Sequence, residues 1–464
     1  MDVTRPHSRR TFLAGAAATG AALAAESLLP SESHAARPAA PVNISYWYPW
    51  GSDSKTYEEN RAKTFNATHP DINVTGLYVP PHSGVDNGKL LSAIASGNVP
   101  DLVVCDIPSA GAVMGYQGGL VDLTPHLKTV GWSPSQMLPG ILPLMRYTGG
   151  IAGGGKIWAL PETGNLMYLY INRTLFRKAG LDPSKPPRNL TELDAMAAKL
   201  TTHDSSGKFK TVGFIPWAYE GGGGAGSTGV YTWPWVFGAN FTKVVKGKVT
   251  LTLTDPAFIR ALNWEAGYAK KYGADKLQVV ATGTLNPFTP NDLFITGEIA
   301  MMVAGNWHTE ALRTYNPKLD YAVFPIPYPP GGRANATMFA MNVYMVPAGS
   351  KHPLEAVKFA MWAGNGSAVI GNENIWRTFA GYKQGPTAPK NIWQQRGDAA
   401  YKVTELLSNS PNATNGVLMP ISAQLGNDLW AAEQKVIYGQ ATAEQALSEV
   451  QNRLQPILDK ALHQ

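Results

Sequence analysis

The sequence predicts an α/β protein built on doubly wound sheets. Three observations lead there. From Val42 onward, short apolar strands alternate with helical stretches, the order that builds βαβ units around a parallel sheet. Two strand-like runs, LVVC at 102–105 and IAMMVA at 299–304, are apolar throughout, which suits strands covered on both faces. The chain has 464 residues, enough for two or more domains even when a leader of 36 is set aside.

The elements follow in order. NISYWY (43–48) reads as the first strand. KTYEENRAKTFNATHP (55–70) reads as a helix with Tyr57, Ala62 and Phe65 at its apolar positions and a stop at Pro70. INVTGLYV (72–79) is the next strand, a helix covers Lys89–Ser96, and NVPDLVVCD (98–106) runs into a buried strand. A helical region around 134–146 precedes GGIAGGGKIWALPET (149–163), a glycine-rich turn and short strand. NLMYLYINRTLFRKAGLD (165–182) is a strand feeding a helix that ends at Gly180. Asn189 caps a helix over 190–200, with Glu192 at capping-box spacing. Helices are expected over 256–272 and 353–363. In FITGEIAMMVAGNW (294–307) a buried strand from Ile299 to Ala304 breaks at Gly305-Asn306 and sets Trp307 at its carboxyl end, where open α/β sheets bind ligands. Core packing and a ligand platform both remain open for Trp307 at this level. The last 40 residues read as helical, with Thr442 as a cap. No period of 20–50 residues marks a repeat architecture.

The N-terminus, MDVTRPHSRRTFLAGAAATGAALAAESLLPSESHAARPAAP, places Arg9 and Arg10 before an alanine- and glycine-rich stretch, with small residues near Ser33-His34-Ala35. Residues 1–36 are expected to be a signal peptide, and Ser8–Leu13 resembles the twin-arginine export signal. The single cysteine, Cys105, lies outside this segment. No lipid-anchor cysteine is therefore expected at the cleavage site, and an internal disulfide or cysteine-rich metal site is excluded. No run of about 18 apolar residues marks a membrane span. A charged content of 16% beside 13 Trp, 19 Tyr and 14 Phe implies a folded protein rich in aromatic contact surface. The formal charge is +6, and no Lys/Arg run marks a nucleic-acid site.

Catalytic patterns are absent from the sequence. No G-x-S-x-G or H-E-x-x-H occurs, and the nine histidines show no helical metal-ligand pair. EGGGGAGSTG (220–229) reads as a flexible loop, because it lacks the Gly-Lys-Ser/Thr ending of a phosphate-binding loop. No pair of carboxylates stands out for glycoside hydrolysis. No cofactor is implied.

Several segments together resemble the extracellular solute-binding proteins of ABC importers, the sugar-binding family that includes the maltose-binding proteins. These are ISYWYPWG, FNATHPDINV, SAIASGNVPDLVVCD, GGLVDL, KIWALPETGNLMYLYINRTLFRKAGLD, VYTWPWVFGANF, FITGEIAMMVAGNW and MPISAQLGNDLWAAEQKVIYGQATAEQALSEVQNRL, in the family's order. The resemblance implies a two-lobed periplasmic binding protein type II fold with a hinge. Crossings between lobes are expected near 159–165, 335–342 and 384–392. The N-terminal lobe would then be 42–160 plus 340–388, and the C-terminal lobe 161–339 plus 389–464. It further implies a periplasmic monomer that binds one carbohydrate and passes it to the transmembrane subunits of a permease, without catalysis.

Sugars stack their C–H faces on aromatic rings and require hydrogen-bond partners for each buried hydroxyl. By resemblance, Trp307 is the stacking tryptophan and Asn306 a hydroxyl partner. Tyr231 and Trp233 lie in a ligand-lining stretch, with core packing as the other reading of Trp233. Trp430 matches a stacking position on a C-terminal helix, with a core helix face as its alternative. Trp50 and Ser52 follow the first strand and should face the cleft, whereas Trp47 within the strand reads as packing. Asp106 matches a carboxylate that takes sugar hydroxyls, with Ser109 beside it; a helix N-cap formed with Ser109 is the other reading. Asn165 falls where the maltose-binding members have a ligand-contacting acid, which leaves the identity of the sugar open. Asp53 is a further candidate in the loop after the first strand. A second reading keeps the fold and makes the ligand a glycerol-phosphate ester or other polar solute, with Arg333 and Arg377 as cationic partners. A secreted carbohydrate-active enzyme is the third.

Overall fold

Three strands that are apolar on at least one face open the fold. β1 (Val42–Tyr48) pairs in parallel with β2 (Ile72–Tyr78), from Val42 opposite Ile72 to Tyr48 opposite Tyr78. It also pairs in parallel with β3 (Leu102–Cys105), and all of β3 is buried. The connecting helices are Ser52–Thr68, which stops at His69 just before Pro70, and Lys89–Ser96, which ends on Gly97 in the left-handed region. The computed structural model describes residues 40–80, 88–105, 108–138, 141–146, 156–218, 229–283, 289–365, 381–382, 390, 395, 399–414 and 418–462. Pro41–Gln464 forms one compact unit.

β1 to β3 form the parallel arrangement expected from the alternating order, and beyond β3 the sheet is mixed. Two long strands join it in the opposite sense. They are β4 (Leu160–Asn172), buried at every position, and β11 (Thr337–Met345). β11 runs antiparallel to β3 on one side and to β4 on the other. β4 also pairs antiparallel with β9 (Met301–Gly305) and β10 (Tyr321–Phe324). The sheet order is β10-β4-β11-β3-β1-β2, with β9 on β4 and β12 (Ala413–Thr414) parallel on β11. Between β4 and β9 lie two small ribbons: β5 (Thr202–His203) with β6 (Phe209–Thr211), and β7 (Thr242–Val245) with β8 (Lys248–Leu251). Local alternation of strand and helix cannot reveal that two strands far apart in sequence will pair head to tail.

Local chemistry accounts for most boundaries. Asn189 accepts the Glu192 N–H at 2.9 Å to start the helix Leu190–Leu200, and Asp255 accepts the Ala257 N–H at 2.8 Å before Pro256 to start Pro256–Tyr272. Thr442 and Gln445 exchange backbone and side-chain bonds at 3.1 and 3.2 Å ahead of Ala443–Leu462, a capping box. The segment 149–163 and the strand after it were expected as two elements; from Leu160 on they are the single strand β4. The region 134–146 holds only the turn Pro134–Gln136 and the short helix Leu142–Met145 among its described residues. The glycine-rich loop 220–228 and the crossing expected near 384–392, apart from Lys390, lie outside the described residues.

Two buried charge clusters hold the layers together. Arg61, on the helix Ser52–Thr68, lies 3.1 Å from Glu162 at the start of β4 and 3.4 Å from Glu58. The Tyr344 hydroxyl on β11 takes one of its N–H groups, and the Tyr46 hydroxyl donates to Glu58 at 2.9 Å. Burial pushes the Glu58 carboxyl up to about 7, against the pull of Arg61. Removing one member of such a cluster leaves an uncompensated buried charge, at about 3–5 kcal/mol.

The second cluster is a pair of buried carboxyls. Glu265, on the helix Pro256–Tyr272, hydrogen-bonds Glu433 on the helix Ser422–Ile437. Burial pushes Glu433 up to about 7, and burial together with the Glu433 charge holds Glu265 well above the usual carboxylate range. Both folded-state values exceed those of the unfolded chain, so the pair's stabilisation is complete below about 4.5 and is lost as pH rises through about 7. Glu433→Gln is expected to flatten this loss, whose slope is at most about 1.4 kcal/mol per pH unit for each proton. Urea unfolding at several pH values checks it; a variant curve parallel to wild type across the window contradicts the assignment.

Candidate functional site

β4 changes partners partway along. From Leu160 to Leu166 it pairs with β11, Leu160 opposite Tyr344 and Leu166 opposite Phe339. From Met167 to Asn172 its partners are β9 and β10. The carboxyl end of β9 arrives at this changeover. Gly305 lies opposite Met167, and the Asn306 N–H donates to the Leu166 carbonyl at 3.0 Å. A crevice at the carboxyl end of a strand, where neighbouring connections diverge, is where α/β sheets hold ligands.

A continuous row of polar side chains crosses the changeover. Asn306 accepts the Leu166 N–H on its side-chain oxygen at 2.7 Å and directs its amide nitrogen to Asn165 Oδ1 at 3.4 Å. Asn165 donates to Asn342 Oδ1 at 3.3 Å. Asn342, on β11, donates to Thr163 Oγ1 at 3.3 Å, and Thr163 donates to the Glu162 carboxylate. Glu162 is the residue paired with Arg61. Asn306 is buried, Asn165 is 7% exposed and Asn342 is half-buried, so exposure rises toward the middle of the row.

Trp307 follows at once, as the cap of the helix His308–Tyr315. Its indole lies across Gly305, where an added methyl would come within 2.2 Å of the ring. Glycine at that place in β9 lets a half-buried indole fold back onto the strand end. The structure thus brings Asn165, Asn306 and Trp307 together, as the sequence leads one to expect, and adds Asn342.

The helices that carry other candidates pack on β11 or on one another. Pro108–Tyr116, with Ser109, packs on β3 and β11. Gly229–Val236, with Tyr231, packs on β11. Ser422–Ile437, with Trp430, packs against both of these helices. Trp430 is 41% exposed on the face it shares with Ala423 and Asn427. Tyr231 is buried with its ring edge against Phe241 at 5.2 Å, and burial pushes its hydroxyl pKa up. Trp50 is half-buried against the core just beyond β1. Ser52 is the first residue of the helix Ser52–Thr68, which also contains Asp53, and Asp106 lies outside the described residues.

Two expectations change. Trp233 is a core residue. It has no exposed surface, its indole N–H donates to the Pro216 carbonyl at 2.8 Å, and Phe214 and Trp264 close on it edge to face. Arg333, a cation considered for a phosphate ester, is bound within the fold. Its guanidinium stacks 3.6 Å from the Trp235 ring and donates to the carbonyls of Trp235 and Ala239, both at 2.7 Å. Arg377 lies outside the described residues.

The sequence reading missed Glu162, Thr163 and Asn342. Asn342 carried a signal, being the one amide in the otherwise apolar run MFAMNVYMV of an expected crossing. Glu162 and Thr163 carried none, because Arg61 and Asn342, which tie them into the row, are distant in sequence.

Comparison with known proteins bears on this arrangement. The sequence model of the bacterial extracellular solute-binding protein family matches residues 49–365. Among solved structures, CpMnBP1 with mannotriose bound is 31% identical, with a TM-score of 0.75 over 89% of this chain and 99% of its own. The ABC substrate-binding protein Lmo0181 of Listeria monocytogenes, in complex with cycloalternan, has a TM-score of 0.71 over 90% of this chain and 99% of its own. At 18% identity its likeness is one of fold. The sn-glycerol-3-phosphate-binding periplasmic protein UgpB of Brucella abortus (strain 2308) is 22% identical over 269 residues, and the chain spans 57% of that protein's length.

Asn306→Ala removes the acceptor of a buried backbone N–H and is expected to destabilise the fold by about 1–3 kcal/mol. Asn306→Asp, which keeps that acceptor but buries a charge against the Asn165 oxygen, is expected to lose at least as much. Urea denaturation of both variants checks this; an Ala variant within about 0.5 kcal/mol of wild type, the scatter of neutral substitutions, contradicts the latch.

Proposed function

The chain belongs to the family of bacterial extracellular solute-binding proteins, and we propose that it captures a mono- or oligosaccharide between two hinged lobes and delivers it to the membrane subunits of an ABC importer. The observation that carries the proposal is the similarity to CpMnBP1 with mannotriose bound, 31% identical across 89% of this chain. The site chemistry agrees with it. An indole at the end of β9 offers an apolar face, and the carboxamides of Asn165 and Asn342, linked by hydrogen bonds to the adjacent Asn306, offer hydroxyl partners. Tyr231 stands on a helix that packs on β11, and Trp430 on a helix that packs against that helix.

In this reading the lobes are 42–160 with 340–388, and 161–339 with 389–464. The strands β4 and β11 link them, and hinge bending there closes the cleft on its ligand. Trp50, Ser52, Asp106 and Ser109 face the cleft from the N-terminal lobe. The protein works in the periplasm as a monomer, after export by the twin-arginine route and removal of residues 1–36. Among the described residues no helix is long and apolar enough to cross a membrane. It acts by binding and release, so oligosaccharides incubated with it gain no new reducing ends.

The similarity to UgpB favours sn-glycerol 3-phosphate as a second reading. The cation Arg333 is committed to Trp235 and Ala239, which weighs against it.

A thermal-shift screen separates the two, because a ligand that binds only the folded state raises the melting temperature by mass action. Neutral oligosaccharides are expected to raise it and sn-glycerol 3-phosphate to leave it unchanged; the reverse pattern overturns the proposal. Trp307→Ala is expected to weaken sugar binding by about 1–3 kcal/mol while the protein stays folded. Unchanged affinity in calorimetry returns Trp307 to the core.

A further inference from the structure

The polar row at the strand changeover has a direction, and its two ends fix it. The Leu166 N–H can only donate, so Asn306 turns its oxygen to it, at 2.7 Å. Thr163 has its single proton on Glu162, so Asn342 turns its nitrogen to Thr163, at 3.3 Å. Asn165 stands between them. It takes the Asn306 amide on its oxygen and gives its own amide to the Asn342 oxygen. All three carboxamides therefore point their N–H groups toward the Glu162–Arg61 pair.

A primary amide has two N–H groups and two oxygen lone pairs. After these bonds Asn165 keeps one N–H and one lone pair. Asn342 keeps a lone pair, since its amide nitrogen serves Thr163 and lies 3.5 Å from Glu162 Oε2. The remaining groups are thus acceptor, donor, acceptor, with acceptors in excess. A sugar hydroxyl donates and accepts at once and fits such a set. A phosphate oxygen requires donors or cations. Arg61, the cation that touches the row, is already held by Glu162, Glu58, Tyr57 and Tyr344.

We propose that Asn342 is a specificity-determining residue: anchored by Thr163 and Glu162, it sets the direction of the carboxamide row so that the row takes the hydroxyls of an uncharged polyol and turns away an anion. This deepens the carbohydrate reading and rests on it for the position of the ligand. Asn342 acts both on the ligand and through Asn165, whose amide it orients.

Calorimetry on wild type, Asn342→Leu and Asn342→Asp tests it. The probes are sn-glycerol 3-phosphate and whichever of mannotriose, maltotriose and cycloalternan gives the largest thermal shift; unfolding curves establish that each variant is folded. Wild type is expected to bind the oligosaccharide and not the phosphate ester. Asn342→Leu is expected to weaken oligosaccharide binding on the order of tenfold, a factor that one or two lost hydrogen bonds supply. Asn342→Asp donates to Thr163 only when protonated. Its affinity should therefore be weak at pH 7 and gain, as the pH falls, relative to wild type measured at the same pH, since Glu58 and Glu433 titrate near 7 in both proteins; that extra gain is a readout that a purely structural role would not move. Oligosaccharide binding by folded variants that matches wild type overturns the role of Asn342 and leaves the carbohydrate reading standing. Wild type that binds the phosphate ester at least as well as any oligosaccharide overturns both. Should Asn342→Leu not fold, the aspartate variant and the ligand selection of wild type still decide the matter.

Discussion

A strand buried along its whole length cannot leave a polar side chain unanswered. β4 is such a strand, and it carries Glu162, Thr163 and Asn165 within four consecutive positions. Burying an amide or carboxylate without a partner costs several kcal/mol. The surrounding structure is arranged to supply those partners. Arg61 reaches in from the first helix, Asn342 from the antiparallel neighbour, and Asn306 from the end of β9. Once these contacts are required, the register of β4 against β11 and β9 has little freedom, because a shift of one residue would turn each polar group into apolar core.

The same requirement supports the binding site proposed at this place. β4 exchanges β11 for β9 and β10 near Leu166, and helices from two parts of the chain pack on β11. Packing there is interrupted, as the partial exposure of Asn342 and Trp307 records. Amides oriented by their mutual hydrogen bonds, close to a strand end that carries an indole, offer both a polar and an apolar surface. That combination suits a sugar, whose ring has both kinds of surface. Rigidity matters because side chains already held in place lose less entropy when the ligand arrives.

Much of the fold was legible in the sequence for local reasons. Pro70, Asn189 and Thr442 mark helix boundaries through chemistry that acts within four residues. The apolar run before Gly305 marked a covered strand, and the tryptophan after it was correctly singled out as lying at a strand end. What stayed hidden depends on contacts between distant segments. The antiparallel entry of β4 and β11 leaves no periodic signature. Nor does the pairing of Arg61 with Glu162, 101 positions apart. Trp233 and Trp307 look alike in sequence, each an indole in a motif of the family; only the packing of Phe214 and Trp264 around the first shows it fully buried, whereas the second is half-buried at a strand end.

The position of the ligand decides the matter, and a crystal structure of the protein with a bound oligosaccharide tests it most directly. The expected result is a pyranose ring stacked on Trp307, with hydroxyls within hydrogen-bond distance of Asn165 and Asn342. A sugar bound away from the junction of β4, β9 and β11, with these three side chains untouched, would contradict it.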